Sequence, residues 1–322
     1  MTEFAIGRPP ARRIAPFCDP IMWFKNLLLY RTTGWKISAA QLEEALARNT
    51  FQACGNMDME SRGWVAPTGD GGALVHSLNR QMLIALGVEQ KLLPAAVINQ
   101  YAQARAEEIE EQQGYRPGRK QLREIKERVT DELLPRAFTR RRTTYAWIDP
   151  VGGWLAVDAA NVARADELLE VLRKSMDEVP LNLVKTKLSP AAAMTAWLAA
   201  DDAPAGFSID RDCELLAPGE DKATVRYVRH PLDAEEIRGH IEGGKQVTKL
   251  AMTWNDRISF VLHENLQVKR LAFLDLLKEQ SEQNAETADE QFDADFAIMT
   301  GELSRFLPDL VEALGGEIVD AA

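Results

Sequence analysis

A chain of 322 residues with 46% hydrophobic and 27% charged side chains has the make-up of an ordinary globular protein, long enough for two or three lobes and a sizeable core. Its uninterrupted apolar runs, such as Leu27 to Tyr30, fall far short of the roughly 18 residues that suggest a membrane span. The net charge of −11 argues at first against a polyanionic partner, but residues 279–322 hold twelve acidic side chains and one arginine, the other 278 balance, and Tyr115 to Arg142 carries ten Lys/Arg against four Asp/Glu.

Residues 1–21 contain Pro9, Pro10, Pro16 and Pro20 and show no periodicity, so a flexible extension is expected, with the fold beginning near Met22. Arg12-Arg13 is no twin-arginine export signal, because Asp19 and Pro20 interrupt the chain before an apolar region can form. Trp23 to Arg31 reads as a strand, and Ser38 with Gln41 forms a capping box that opens a helix to about Arg48. Ala73 to Leu78 and Gln81 to Leu92 flank Asn79-Arg80, a plausible tight turn.

Pro94 starts a helix that runs to Gly114, and Gly118 restarts one that ends at Pro135, giving a helical hairpin. In the second helix Leu122, Ile125, Val129 and Leu133 form an apolar stripe, with Arg119, Arg123 and Lys126 in a basic stripe beside it. Thr144 to Asp149 and Trp154 to Asp158 form a hairpin. Helices follow over Asn161 to Met176 and Ser189 to Ala200. Thr224 to His230 reads as a strand and Asp233 to Ile241 as a helix; strands over 245–254, 257–263 and 267–274 then make an antiparallel meander. A helix from Glu302 to Leu314, stopped by Gly315-Gly316, closes the chain.

Enzyme motifs are sparse. Cys18, Cys54 and Cys213 are odd in number and lack CxxC spacing, and His76, His230, His240 and His263 are dispersed, so neither a disulfide framework nor a zinc site is indicated and a reducing cytoplasm fits. Gly239 to Lys245 has the spacing of a phosphate-cradling loop, but Gln246 stands where Ser or Thr must hold Mg²⁺, and the order is helix, glycines, strand. Asp289, Glu290, Asp293 and Asp295 could in principle bind Mg²⁺ for phosphodiester cleavage, although such acidic runs are usually solvated faces. No G-x-S-x-G occurs.

The basic residues say more. On a regular strand Lys245 and Lys249 face one side about 13 Å apart, a spacing suited to separate phosphates. Arg226 and Arg229 point to opposite faces unless a bulge intervenes. Arg116, Arg119, Lys120, Arg123 and Lys126 cluster more tightly, though any one of these cations could be ordinary surface charge. Aromatics do not interleave with them, and no helix-turn-helix or zinc finger appears, so backbone contact with a duplex is the form of DNA binding most compatible with the pattern. Phe138, after Pro135 and before Arg140-Arg141-Arg142, either packs under its own loop or anchors a partner subunit.

At MWFKNLLLYR (Met22 to Arg31), GWVAP (Gly63 to Pro67), LLPRAF (Leu133 to Phe138), HIEGGKQVTKLAMTW (His240 to Trp254) and FDADFAIMTGEL (Phe292 to Leu303) the chain resembles the RdgC family. The resemblance covers about Met22 to the C-terminus. It implies an α+β, multi-lobed, horseshoe-like monomer with antiparallel sheets and a helical tip. Two copies would form a ring-shaped homodimer that encloses duplex DNA and restrains the RecA recombinase, with no cofactor and no catalysis.

The expected division is 22–93 as mixed α/β central and base elements and 94–142 as the helical tip. Residues 143–210 then form the hairpin and helices of the centre, and 211–322 the α+β base with the acidic C-terminal segment. Phe138, with Arg136 beside it, takes the family's role at the tip contact between subunits. The expected location is the cytoplasmic nucleoid. Two rivals are a Mg²⁺-dependent nuclease and a factor that acts on RecA directly through the acidic segment.

Overall fold

A computed structural model describes residues 23–318 except 33, 70, 220–221, 233–234 and 283–286, so the extension expected over residues 1–21 lies outside the described residues. The fold is α+β, built on two antiparallel sheets. The first contains β1 (Leu28–Arg31), β2 (Glu60–Val65), β3 (Val75–Leu78), β4 (Gln81–Leu92), β5 (Phe138–Asp149), β6 (Trp154–Val157) and β7 (Asn182–Leu183). Its order is β2-β4-β5-β6-β1-β7, with β3 extending β2 along the same edge of β4. The second contains β8 (Phe207–Leu216), β9 (Thr224–Tyr227), β10 (Gln246–Trp254), β11 (Ile258–His263) and β12 (Val268–Phe273), in the order β12-β11-β10-β8-β9. The helices are α1 (Ala39–Leu46), α2 (Ala95–Gln113), α3 (Arg119–Leu133), α4 (Val162–Ser175), α5 (Pro190–Ala200), α6 (Glu235–Glu242), α7 (Asp275–Glu282) and α8 (Ala288–Ala313).

Local chemistry sets many of these boundaries. Asn79 and Arg80 both take positive φ (52° and 63°) and join β3 to β4, the backbone that a two-residue hairpin requires, and Asn255 and Asp256 (46° and 52°) turn the chain in the three-residue connection between β10 and β11. Ser38 and Gln41 close the expected capping box on α1, and Asn161 Oδ1 accepts from Arg164 N at 3.0 Å at the start of α4.

One face of the first sheet, with Tyr30, Ile84, Leu86, Ile148 and Leu155, packs against Leu42 and Leu46 of α1 and Leu168 and Leu172 of α4. Its other face, with Leu29, Leu83, Tyr145 and Trp147, shares a core with α8 and with Leu250, Met252, Phe260 and Leu262 of the second sheet. Helix α8 lies in that shared core: Phe306 meets Trp254 and Phe260 of the second sheet, and Phe296 meets His76 of the first. Because β4 is covered on both faces, residues 82–89 are buried without alternation. Gly63 is needed where β2 runs under the chain at Thr50 and Phe51, since a Cβ there would lie 2.4 Å from Phe51 Cα.

Several elements differ from the sequence expectation: the first strand spans Leu28–Arg31 and not Trp23 to Arg31, and β2 and β7 were not expected. Strand β5 begins at Phe138 and not near Thr144, so Arg140, Arg141 and Arg142 lie in a ladder with β4 instead of a loop; Arg141 reaches buried Glu89 at 2.9 Å and Arg142 reaches Glu167 at 2.6 Å, which offsets the charges. Helix α8 starts at Ala288, not Glu302, because its apolar stripe of Phe292, Phe296, Met299 and Leu303 outweighs the acidic residues between them. Helix α7 and strand β8 were not foreseen, and β8 crosses the boundary drawn between residues 210 and 211.

Candidate nucleic-acid interface

Helices α2 and α3 form a hairpin joining the ends of β4 and β5, with its own small core of Ala102, Ala106, Ile125 and Val129. That packing turns the other faces of α3 outward. Arg116, Arg119, Lys120, Arg123 and Lys126 are all exposed, as is Arg128. Arg123 Nε lies 3.0 Å from Glu127 one turn on, a solvated pair. Among the described residues Arg116, Arg119, Lys120 and Lys126 make no ion pair. Arg119 and Lys120 also occupy the first turn of α3, which has no side-chain cap, so their charge adds to the positive end of the helix dipole instead of opposing it. That arrangement carries a local electrostatic cost, which a bound anion would offset.

The second basic group lies on the face of the five-stranded sheet turned away from the core. A cleft of about 250 Å³ there is lined by Arg226, Lys249, Lys269 and Arg270 with Asp212, Glu214 and His263. Cross-strand pairing makes a row from edge towards edge, with Arg226 opposite Glu214, Glu214 opposite Lys249, and Lys249 opposite His263. Lys249 Nζ sits 2.7 Å from Glu214, and Arg270 lies 3.4 Å from Asp212. Burial pushes the His263 imidazole down to about 4, helped by the neighbouring charges of Lys269 and Lys249, so the ring is neutral at pH 7.

The structure separates Lys245 from this cleft. It precedes β10, with Nζ 3.2 Å from His240 Nδ1, and a register shift between Val247 and Lys249 breaks the regular alternation on which the common-face reading of the two lysines rested. Arg226 and Arg229, expected on opposite faces, border neighbouring depressions: β9 ends at Tyr227, and Arg229 turns at φ 54° with its N–H donating to Asp212 at 2.8 Å. Lys269 and Arg270 were missed. As adjacent strand residues they should face opposite ways, and only the bulge in β12 turns both into the cleft.

Phe138 is 83% exposed on the first residue of β5, so it does not pack under its own loop, and Arg136 beside it is also exposed. The carboxylates at 289–295 run along α8 without converging. Asp293 faces His76 Nε2 at 3.3 Å, Asp295 accepts from Gln291 at 3.0 Å, and the described residues contain no group of three His, Cys, Asp or Glu placed to hold a metal. Gly243 and Gly244 end α6 and lead into β10, with Lys245 N donating to His240 O. No helix among the described residues is long and apolar enough to cross a membrane.

Residues 22–317 match the family model described as "Putative exonuclease, RdgC". The chain belongs to the RdgC family. It is 63% identical over 304 residues to the "Recombination-associated protein RdgC" of Dechloromonas aromatica (strain RCB), an alignment covering 93% of this chain and 100% of the relative. Proteins of the same name from Herminiimonas arsenicoxydans and Bordetella pertussis (strain Tohama I) are 57% and 56% identical, each over 92% of this chain and 99% of the relative.

The segments that carry the RdgC resemblance have different physical jobs. GWVAP holds the Gly63 close approach and Trp64, whose Nε1 donates to Ser175 at 2.9 Å in the core. FDADFAIMTGEL supplies the buried stripe of α8. HIEGGKQVTKLAMTW is the α6 stop followed by β10, and carries Lys245 and Lys249. LLPRAF ends α3 and leaves Phe138 in solvent. Three of these segments have clear packing roles, whereas the exposure of Phe138 has none within the chain.

Proposed function

We propose that this protein binds duplex DNA without reading its sequence, and that two copies form a ring which encircles the DNA and restrains RecA-mediated recombination. The observation that carries the reading is the unneutralised positive charge of Arg116, Arg119, Lys120 and Lys126 on a hairpin in which the apolar stripe of α3 packs into a small core of its own. Such a surface suits phosphates spread along a polymer better than a compact ligand. Arg123, Lys245, Lys249, Arg226 and Arg229 are further candidates for phosphate contact, and the outward face of the second sheet adds Lys269 and Arg270 to them. The name shared by the relatives supports a role in recombination. Phe138 and Arg136 are the proposed contact between copies at the tip. The protein acts at the cytoplasmic nucleoid and uses no cofactor.

A nuclease is the second reading, favoured by the family description. It ranks lower because the carboxylates of α8 do not converge and the described residues offer no three-ligand metal group. Binding to linear and covalently closed circular duplex over a salt series, with and without Mg²⁺, tests both. A ring predicts retention on closed circles once loaded, a nuclease predicts Mg²⁺-dependent shortening of linear duplex, and no DNA affinity without RecA would leave a factor that acts on RecA alone.

A further inference from the structure

The cleft on the outward face of the second sheet is produced by departures from regular strand pairing. Register breaks three times around it: at Thr248, which has no partner on β8; opposite Ala251, where β8 runs through Asp210, Arg211 and Asp212; and opposite Phe260, where β12 fits in Arg270 and Leu271. Arg270 holds φ 51°, a conformation that costs a non-glycine residue about 1 kcal/mol or more. Regular strands would give a gently twisted open face. Bulges re-aim side chains, and here they collect four cations on one concavity with two carboxylates between them.

We infer that this cleft is a binding site for a single phosphate group, with Arg226 and Lys269 as its direct donors and Lys249 and Arg270 released from their carboxylates to join them. Neither Arg226 nor Lys269 has an ion-pair partner among the described residues. Lys249 and Arg270 are 40% and 65% exposed at their side chains, so their pairs with Glu214 and Asp212 are solvated contacts of little net strength and are readily exchanged for a stronger anion. The cleft volume of about 250 Å³ admits a phosphate with part of its ester, but not a folded polymer.

His263 lies on the cleft wall with no hydrogen bond to its ring among the described residues. The groups facing it are Lys249 on β10, Lys269 and Arg270 on β12, and Glu214 on β8. An anion among them offsets the repulsion from Lys269 and Lys249 that adds to burial in keeping the ring neutral, so the imidazole becomes a reporter of occupancy. That the phosphate is carried by DNA rests on the function proposed above; that the cleft takes a phosphate does not.

The test uses the full chain and inorganic phosphate at constant ionic strength, read by the NMR titration of the His263 ring and by calorimetry. Phosphate should bind saturably and move the His263 titration to higher pH. Arg226→Gln with Lys269→Gln should weaken phosphate binding about tenfold or more, whereas Glu214→Gln, which removes the competing carboxylate, should strengthen it; circular dichroism confirms that the variants fold. An unmoved His263 ring at millimolar phosphate, or binding indifferent to all three substitutions, would overturn the site. A 5′-phosphorylated duplex and a closed circle then separate the sources: preference for the former assigns the cleft to strand ends, and equal loss on both in the Arg226/Lys269 variant assigns it to backbone phosphates. Phosphate binding with unchanged duplex affinity would uphold the site and overturn DNA as the donor.

Discussion

Leu92 and Phe138 face each other on the last rung of the β4–β5 ladder, and both are exposed, at 45% and 83%. An aromatic residue whose backbone is fixed by the ladder while its ring stands in water gains little from its own chain, which is the condition expected of an interface anchor. Phe138→Ala should therefore change folding stability by no more than about 0.5 kcal/mol. Self-association should weaken by about 2 kcal/mol, roughly thirtyfold. Chemical denaturation and sedimentation equilibrium measure the two separately, and an unchanged dimer constant would remove Phe138 from the contact.

The charge on α3 makes a second expectation. If a dimer neutralises about 6 to 10 phosphates, duplex affinity should fall roughly 10³ to 10⁵ between 50 and 200 mM salt. Replacing Arg119 and Lys126 by glutamine should reduce affinity on every sequence alike and flatten the logarithmic salt slope by about 0.9 for each lost phosphate contact. Fluorescence anisotropy on two unrelated duplexes checks both features. A slope equal to that of the unmodified protein would mean that these side chains face solvent in the complex.

His263 should contribute to acid lability. Its folded value of about 4 lies below the ordinary histidine value of 6.5, so between these limits the unfolded chain binds a proton that the folded chain refuses. The contribution is intact above about pH 6.5 and is lost as pH falls towards 4, and it amounts to roughly 1 to 2 kcal/mol after allowance for solvent screening. His263→Gln should thus lose less stability than the unmodified protein when urea denaturation is moved from pH 7 to pH 4.5. Parallel losses in the two would contradict the assignment.

Two substitutions probe the main body. Gly63→Ala places a methyl group against the backbone of Phe51, and neither partner can yield by rotating a side chain, so a loss of about 2 kcal/mol or more is expected. Ser175→Ala leaves the buried Trp64 indole N–H without its acceptor, at a cost of about 1 to 3 kcal/mol. Thermal melts rank both against a neutral surface change such as Lys36→Gln.

Hairpins and caps were legible because they depend on a few adjacent residues: Asn79-Arg80, Asn255-Asp256, and Ser38 with Gln41. Long-range compensation was not. The arginines of β5 read as a loop until Glu89 and Glu167, distant in sequence, are seen beside Arg141 and Arg142. The first half of α8 is hard to read because Asp289, Glu290, Asp293 and Asp295 interleave with the helical spacing of Phe292, Phe296 and Met299. Strand β8 interrupts its alternation at Asp210 to Asp212, the bulge that borders the cleft, so the feature that shapes the candidate site also concealed the strand. For the same reason Lys249 and Arg226 could be nominated from sequence, but Lys269 and Arg270 could not.

Because Ala102, Ala106, Ile125 and Val129 pack as a cluster of their own, the α2–α3 hairpin is expected to open locally at lower cost than the two sheets. Amide protons there should exchange with deuterium sooner than those of β4 or β10. Sequence change in this appendage carries little risk to the rest of the molecule, which makes it the place where selection, or a protein engineer, can retune charge without endangering the scaffold.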